Sequence, residues 1–239
     1  MKAASIFAPK PIPGFGARKV IYIPCDIPSR LLSSTLRKHA QAKRILEFGL
    51  LYKLRASTIL FQALGAPLAA LSLEPLILSG AKEIILLGFC GSLAEGFKIG
   101  DVVSVSKAFS EEGTSSHYFS SRRVFAPSPF LRKHLENSLR ASRLDFKTGT
   151  IVSTDAPFRE TKSWLRRNQK RGVKLVDMET SAVFALAEFH AIRAVSLQVV
   201  SDELSGGKWK PGYASTQLED RVKNYFLPIL LPKTRREME

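Results

Sequence analysis

Two short stretches carry the side chains best suited to chemistry. In the first, VDMETSAVFALAEF, a strand delivers Asp177, Met178 and Glu179 to the start of an alanine-rich helix, on which Met178, Ala182, Ala185, Leu186 and Phe189 recur at helical spacing. Acids there either cap the helix and complement its macrodipole or face a ligand. The second is a nearly continuous apolar strand, Ala194 to Val200, ending in Ser201, Asp202 and Glu203. An acid at the mouth of a buried strand either caps the next loop or works in a site. If the two ends meet in one pocket, they supply two carboxyl groups on one reacting molecule. A third stretch, EIILLGFCGSL (Glu83 to Leu93), runs from apolar residues into a glycine-rich turn, a device that delivers backbone N–H groups to anions. This turn carries Phe89 and Cys90 and no cation.

The elements that must position these residues follow from periodicity. VIYIP, STILFQAL, EIILLG, DVVSVS, GTIVST and RAVSLQVVSD read as strands, several of them apolar throughout, as in a sheet covered on both faces. Helical patterns fit residues 29–47, 68–79, 129–142, 161–171, 178–190 and 216–227. Ser128-Pro129 gives a capping hydroxyl before a Pro at the first helical position, and Thr216 with Glu219 has capping-box spacing. The result is a three-layer α/β domain in which ligands collect at the carboxyl ends of strands. We expect an N-terminal extension over 1–18, a single catalytic domain over 19–232 and a basic C-terminal tail over 233–239.

With 239 residues, 45% of them hydrophobic, the chain can bury a full-sized core. It contains no run of about 18 uncharged apolar residues, and its first residues break into Pro and Gly before a signal-peptide core could form. We therefore expect a cytoplasmic protein without membrane contact. Cys25 and Cys90 are too few for a disulfide framework and too far apart for a zinc pair, so no metal is expected. The 36 Lys and Arg outnumber the 21 Asp and Glu, giving +15, an excess that attracts anionic ligands. The positive charges are spread and lack interleaved aromatics or a recognition motif, so nucleic acid is not the expected partner.

PCDIPSR, FGLLYKLRASTILFQALGAP, LILSGAKEIILLGFCGSL followed by IGDVV, EEGTSSHY, STDAPF, VDMETSAVFALA and VVSDE together resemble, in order and spacing, the nucleoside phosphorylase and nucleosidase superfamily. The resemblance extends over most of the chain. It implies an α/β/α sandwich around a twisted mixed central sheet, and cleavage of the bond between a ribosyl carbon and a base nitrogen. Asp202 then corresponds to the acid that protonates a purine, Glu179 to the carboxylate on the ribose hydroxyls, and Met178 to the side chain against the sugar. Phe158 corresponds to the aromatic that stacks on the base, with core packing as its other reading. Cys90 and Gly91 line base and sugar, beside Ser201. Ser201-Asp202 is the purine-type ending, whereas GTSSHY is closer to uridine phosphorylases; His117 in it either reaches the site or lies on a surface loop. A homo-oligomer (a dimer, a trimer of dimers or a hexamer) is implied, acting on a small nucleoside without a cofactor, phosphate being a possible co-substrate.

The pattern of phosphorolytic relatives is broken at three positions. Cys25 replaces a loop glycine, Leu86 stands where a strand arginine is expected, and Phe89 replaces a hydroxyl in the glycine turn. Arg30 remains, and Lys43 or Arg44 falls near a position that reaches a neighbouring subunit's phosphate. A missing guanidinium forfeits charge-assisted hydrogen bonds of about 1.5–3 kcal/mol each, so water is the alternative acceptor and a nucleosidase the alternative activity. Two readings of other classes are a non-catalytic nucleoside-binding protein and a basic nucleic-acid-binding protein.

Overall fold

The computed structural model describes residues 6–26 and 30–232; the basic tail 233–239 lies outside them. In chain order the elements are β1 (Lys19–Ile23), α1 (Leu31–His39), β2 (Ala42–Leu46), β3 (Gly49–Lys53), β4 (Thr58–Phe61), α2 (Ala66–Leu78) and β5 (Glu83–Ser92). There follow β6 (Val102–Glu111), α3 (Ser115–Tyr118), β7 (Val124–Phe125), α4 (Pro129–Ala141), β8 (Lys147–Thr154), α5 (Lys162–Lys170) and β9 (Leu175–Asp177). The chain continues through α6 (Thr180–Phe189), β10 (Arg193–Glu203), β11 (Lys210–Pro211) and α7 (Thr216–Arg221), then through one π-helical stretch into α8 (Leu227–Leu230).

All eleven strands among the described residues join one mixed sheet. β5 pairs in parallel with β1 and β10 and antiparallel with β9; β8 lies parallel to both β6 and β9. Because β10 also pairs with β6, the strands β5, β10, β6, β8 and β9 close on one another, and β1, β4, β3 and β2 extend outward as an open wing. Helices cover both faces. Leu73 and Leu76 of α2 and Val183 to Ala187 of α6 bury one face with Val20, Ile84 and Leu86. Leu32 and Leu36 of α1, Leu131, Leu135 and Leu139 of α4, and Leu218, Val222, Phe226 and Leu230 near the C-terminus bury the other with Ile21, Ile85 and Leu197. Successive side chains of one strand thus enter opposite cores, which is why these strands are apolar without alternation.

Local chemistry explains most boundaries. Ser128 caps α4, its hydroxyl accepting the Leu131 N–H at 3.3 Å, and Thr161 caps α5 by accepting the Trp164 N–H at 3.2 Å. Three expectations need correction. The helix over 29–47 ends at His39, because residues 42–53 fold into a β-hairpin, with Lys43 opposite Tyr52 and Ile45 opposite Leu50. Its edge strand buries no side chain, so periodicity held no strand signal there. The cap of α7 is Ser215, accepting from the Gln217 N–H, in place of a capping box from Thr216. Finally, Gly88 to Ser92 form no turn: β5 continues through them, held on both sides by β10 and β9.

Gly88 is required by what lies opposite. A Cβ there would sit 2.6 Å from Gln198 Oε1, and Gln198 is buried, donating from Nε2 to Ser196 Oγ at 2.9 Å and Thr180 Oγ1 at 3.1 Å. Gly88→Ala is expected to destabilise the fold by about 1–3 kcal/mol through overpacking, read as a lowered urea midpoint. Gly96→Ala, where nothing lies within 4 Å of the added atom, should leave the midpoint nearly unchanged.

Candidate active site

A cavity of about 600 Å³ opens where β5, β9 and β10 end. This is the size range of small-molecule sites. Its wall contains Asp202, Glu179, Met178, Phe158, Cys90, Gly91 and Ser201, all expected from the sequence, together with Asp177, Glu160, Trp209 and Tyr213.

β10 presents its acid through a bulge. The register with β5 runs from Val200 opposite Cys90 directly to Asp202 opposite Gly91, leaving Ser201 as the extra residue. A bulge re-aims side chains, and here it brings both Ser201 and Asp202 to the cavity. Gly91 is the complement: a Cβ on it would lie 3.1 Å from Asp202 Oδ2, 3.0 Å from Val176 and 2.7 Å from Leu204. Asp202 is buried and accepts from three donors. Ser201 Oγ donates to Oδ1 at 2.7 Å, Tyr213 Oη to Oδ1 at 3.3 Å, and Trp209 Nε1 to Oδ2 at 3.0 Å.

The opposite pair of acids comes from the β9–α6 junction. Asp177 does cap: Oδ2 accepts the N–H of Thr180 at 3.0 Å and its hydroxyl, while Oδ1 accepts Ser153 Oγ at 2.6 Å. Glu179 is committed differently. Its Oε1 accepts the Gly65 N–H at 2.6 Å, across from the loop before α2, and its Oε2 accepts the Met178 N–H at 3.3 Å. Burial raises the pKa of both carboxyl groups, and for Glu179 the charge of Asp177 raises it further; at both, the hydrogen bonds they accept oppose the rise.

Neither thiol is poised for nucleophilic chemistry. Burial, then the charges of Glu179 and Asp26, push Cys25 up to about 12, and burial followed by Asp177 and Asp202 raises Cys90 as well. Both are protonated at neutral pH, and the thiol is the weak form. Among the described residues no group of His, Cys, Asp and Glu is placed to hold a metal ion, and no helix is long and apolar enough to cross a membrane.

The remaining expected residues fall elsewhere. Phe158 is fully exposed at the rim, which removes its core-packing reading. His117 is exposed on α3 and outside the cavity wall, on the surface. Arg30 precedes α1 in a left-handed conformation, Lys43 lies over the Tyr52 ring and Arg44 is exposed on β2; none lines the cavity of its own chain. Phe89 lines the cavity and packs on Phe226, whereas Leu86 is fully buried in the core beyond the wall. The described wall therefore holds four carboxyl groups and no Lys or Arg. Sequence reasoning missed Glu160, Trp209 and Tyr213. The available signals were the acid two residues after Phe158 and two aromatics within the Gly-, Lys- and Pro-rich loop SGGKWKPGY.

The model of the phosphorylase superfamily matches residues 33–225. A guanosine phosphorylase of Halorubrum lacusprofundi is 29% identical over 167 residues, covering 70% of this chain and 69% of that one. A DeoD-type purine nucleoside phosphorylase of Caldanaerobacter subterraneus is 28% identical over 177 residues, 73% of each chain. Among solved structures, purine nucleoside phosphorylase from Toxoplasma gondii in complex with immucillin-H superposes with a TM-score of 0.71 at 21% identity, covering 87% of this chain and 88% of that one, which establishes the shared fold. With the fold, the strand-end cavity and a family match spanning most of the sequence in agreement, this chain belongs to the phosphorylase superfamily.

Proposed function

We propose that the cavity cleaves the N-glycosidic bond of a purine nucleoside. The observation that carries this reading is that Asp202 and Glu179, from two different strand ends, line one cavity together with Met178 and the exposed ring of Phe158. As the bond between C1′ and the base nitrogen breaks, its electron pair leaves with the base and positive charge develops on the ribosyl ring. A proton given to base N7 neutralises the first charge, and carboxylates around the sugar stabilise the second. Trp209 Nε1–H can only donate, so Oδ2 of Asp202 is held as an acceptor. The hydroxyls of Ser201 and Tyr213 can turn, so Oδ1 is the oxygen able to carry the proton. Glu179 retains lone pairs beyond those taken by Gly65 and Met178, and with these it accepts the ribose hydroxyls. Phe158 covers the base, and Cys90 and Gly91 form the floor.

Family membership favours phosphate as the acceptor. A second reading, hydrolysis, is favoured by one observation: the described wall contains no cation to hold a dianion. Phosphorolysis then requires a neighbouring copy, for which the β2–β3 hairpin is suited, because it exposes Lys43 and Arg44 next to Ile45 and Phe48. On this reading the protein is a cytoplasmic homo-oligomer acting on small nucleosides without a cofactor.

Asp202→Asn should retain the fold and lower kcat for base release from a purine nucleoside by about 10²–10⁴-fold, measured by chromatography of the free base. Unchanged turnover would remove Asp202 as the acid. The acceptor is decided by the products. Ribose 1-phosphate formed only when phosphate is present, and lost in a Lys43→Ala, Arg44→Ala double variant, identifies phosphorolysis with a neighbour's cation. Free ribose formed at the same rate with and without phosphate identifies water.

A further inference from the structure

Of the four wall carboxyl groups, Asp202 and Glu179 serve the reaction above and Asp177 caps α6, which leaves Glu160 without a role. It follows a 3₁₀ turn, Pro157–Arg159, whose Phe158 forms the cavity rim, and its backbone N–H returns to the Pro157 carbonyl at 3.2 Å. The other three wall carboxyl groups are tied down by donors, as described above. The Glu160 carboxyl accepts no hydrogen bond and forms no ion pair with any described residue, in a chain with an excess of fifteen positive charges. A half-buried carboxyl left without donors in a ligand cavity is arranged for the ligand.

Its place within the cavity indicates which part of the ligand it meets. The ionisable groups sharing the wall are Asp202, Asp177, Glu179 and Tyr213, and the cations beside it in the chain are Arg159 and Lys162. Glu160 directly follows the turn that carries Phe158, the ring placed over the base, and both line the same cavity; the charge of Asp202 also acts on it. Glu160 therefore belongs to the base end and not to the sugar end at Glu179. On the edge of a purine that carries N7, the neighbouring group is the substituent at position 6: an amino donor in adenine, an oxygen acceptor in 6-oxopurines. We propose that Glu160 is a specificity-determining residue whose carboxyl binds the 6-substituent of a purine that has N7 against Asp202. The inference rests on the purine reading given above.

The chemistry makes the preference depend on pH. Burial, then the charge of Asp202, pushes Glu160 up to about 7. Above that pH Glu160 is ionised and accepts from a 6-amino group; below it the protonated carboxyl donates to a 6-oxo group.

The test is calorimetric binding of adenine and of hypoxanthine to the full-length protein at pH 6 and pH 8, with wild type, Glu160→Gln and Glu160→Ala. In wild type the adenine-to-hypoxanthine affinity ratio should rise about tenfold from pH 6 to pH 8, the scale of one hydrogen bond to a charged group. In both variants, each still binding both bases, the ratio should change by less than about twofold over the same range. A wild-type ratio that does not change with pH, or one that changes equally in Glu160→Gln, overturns the assignment of Glu160 while leaving the purine site intact. If wild type binds neither base, the purine reading falls, and the role of Glu160 with it.

Discussion

The site depends on the parallel pairing of β5 with β10. This pairing runs from Arg193 opposite Glu83 to Glu203 opposite Ser92, interrupted only at the bulge. It fixes Asp202 relative to the cavity floor, because the residue opposite, Gly91, has no side chain where Asp202 Oδ2 and Leu204 lie. The same pairing sets Gly88 against Gln198, whose Nε2 bonds to Thr180 tie β10 to the start of α6 and hence to Asp177. One strand pair therefore positions both acidic ends. Since β10 also pairs with β6, the strand is held on two sides, and its carboxyl end has little freedom to drift.

This frame supports an electrostatically costly arrangement. Carboxyl groups crowded into a cavity whose described wall holds no Lys or Arg are desolvated and repel one another, and the pKa values of Glu179 and Glu160 are raised accordingly. Neutral donors replace ion pairs: a backbone N–H at Gly65, hydroxyls at Ser153 and Thr180, and an indole and a phenol at Asp202. Such donors orient a carboxylate without cancelling its charge, so the negative potential remains available to a positively charged ribosyl fragment. The described cations that form ion pairs do so elsewhere. Arg122 pairs with Glu188, Arg167 and Arg171 with Glu111, and Lys147 with Asp101, all on the outside, where each pair contributes little to stability.

Much of this was legible in the sequence where burial writes a pattern. The apolar strands, the amphipathic α4 and α5, and the acids at the ends of β9 and β10 follow from periodicity and from the location of strand ends, and the family resemblance rests on the same residues. What escaped lacked such a pattern. The β2–β3 hairpin has an edge strand with no buried side chain, so its sequence was compatible with continuing α1. Gly88 to Ser92 looked like a turn because glycines commonly break strands; here they remain in a strand because Gln198 and Asp202 need the space. Trp209 and Tyr213 reach Asp202 from a loop whose course no local propensity dictates, and Glu160 became recognisable only once its neighbours were known to leave it unpaired. Arg30, Lys43 and Arg44 matched by position, but a single chain does not carry them to its own cavity.

The most direct measurement is a crystal structure of the protein with a purine nucleoside analogue whose glycosidic bond cannot be cleaved. The account predicts the base between Phe158 and the Cys90–Gly91 floor, with N7 about 3 Å from Asp202 and the ribose hydroxyls at the same distance from Glu179. An analogue bound outside this cavity, or bound within it with the sugar at Asp202 and the base at Glu179, would contradict the account.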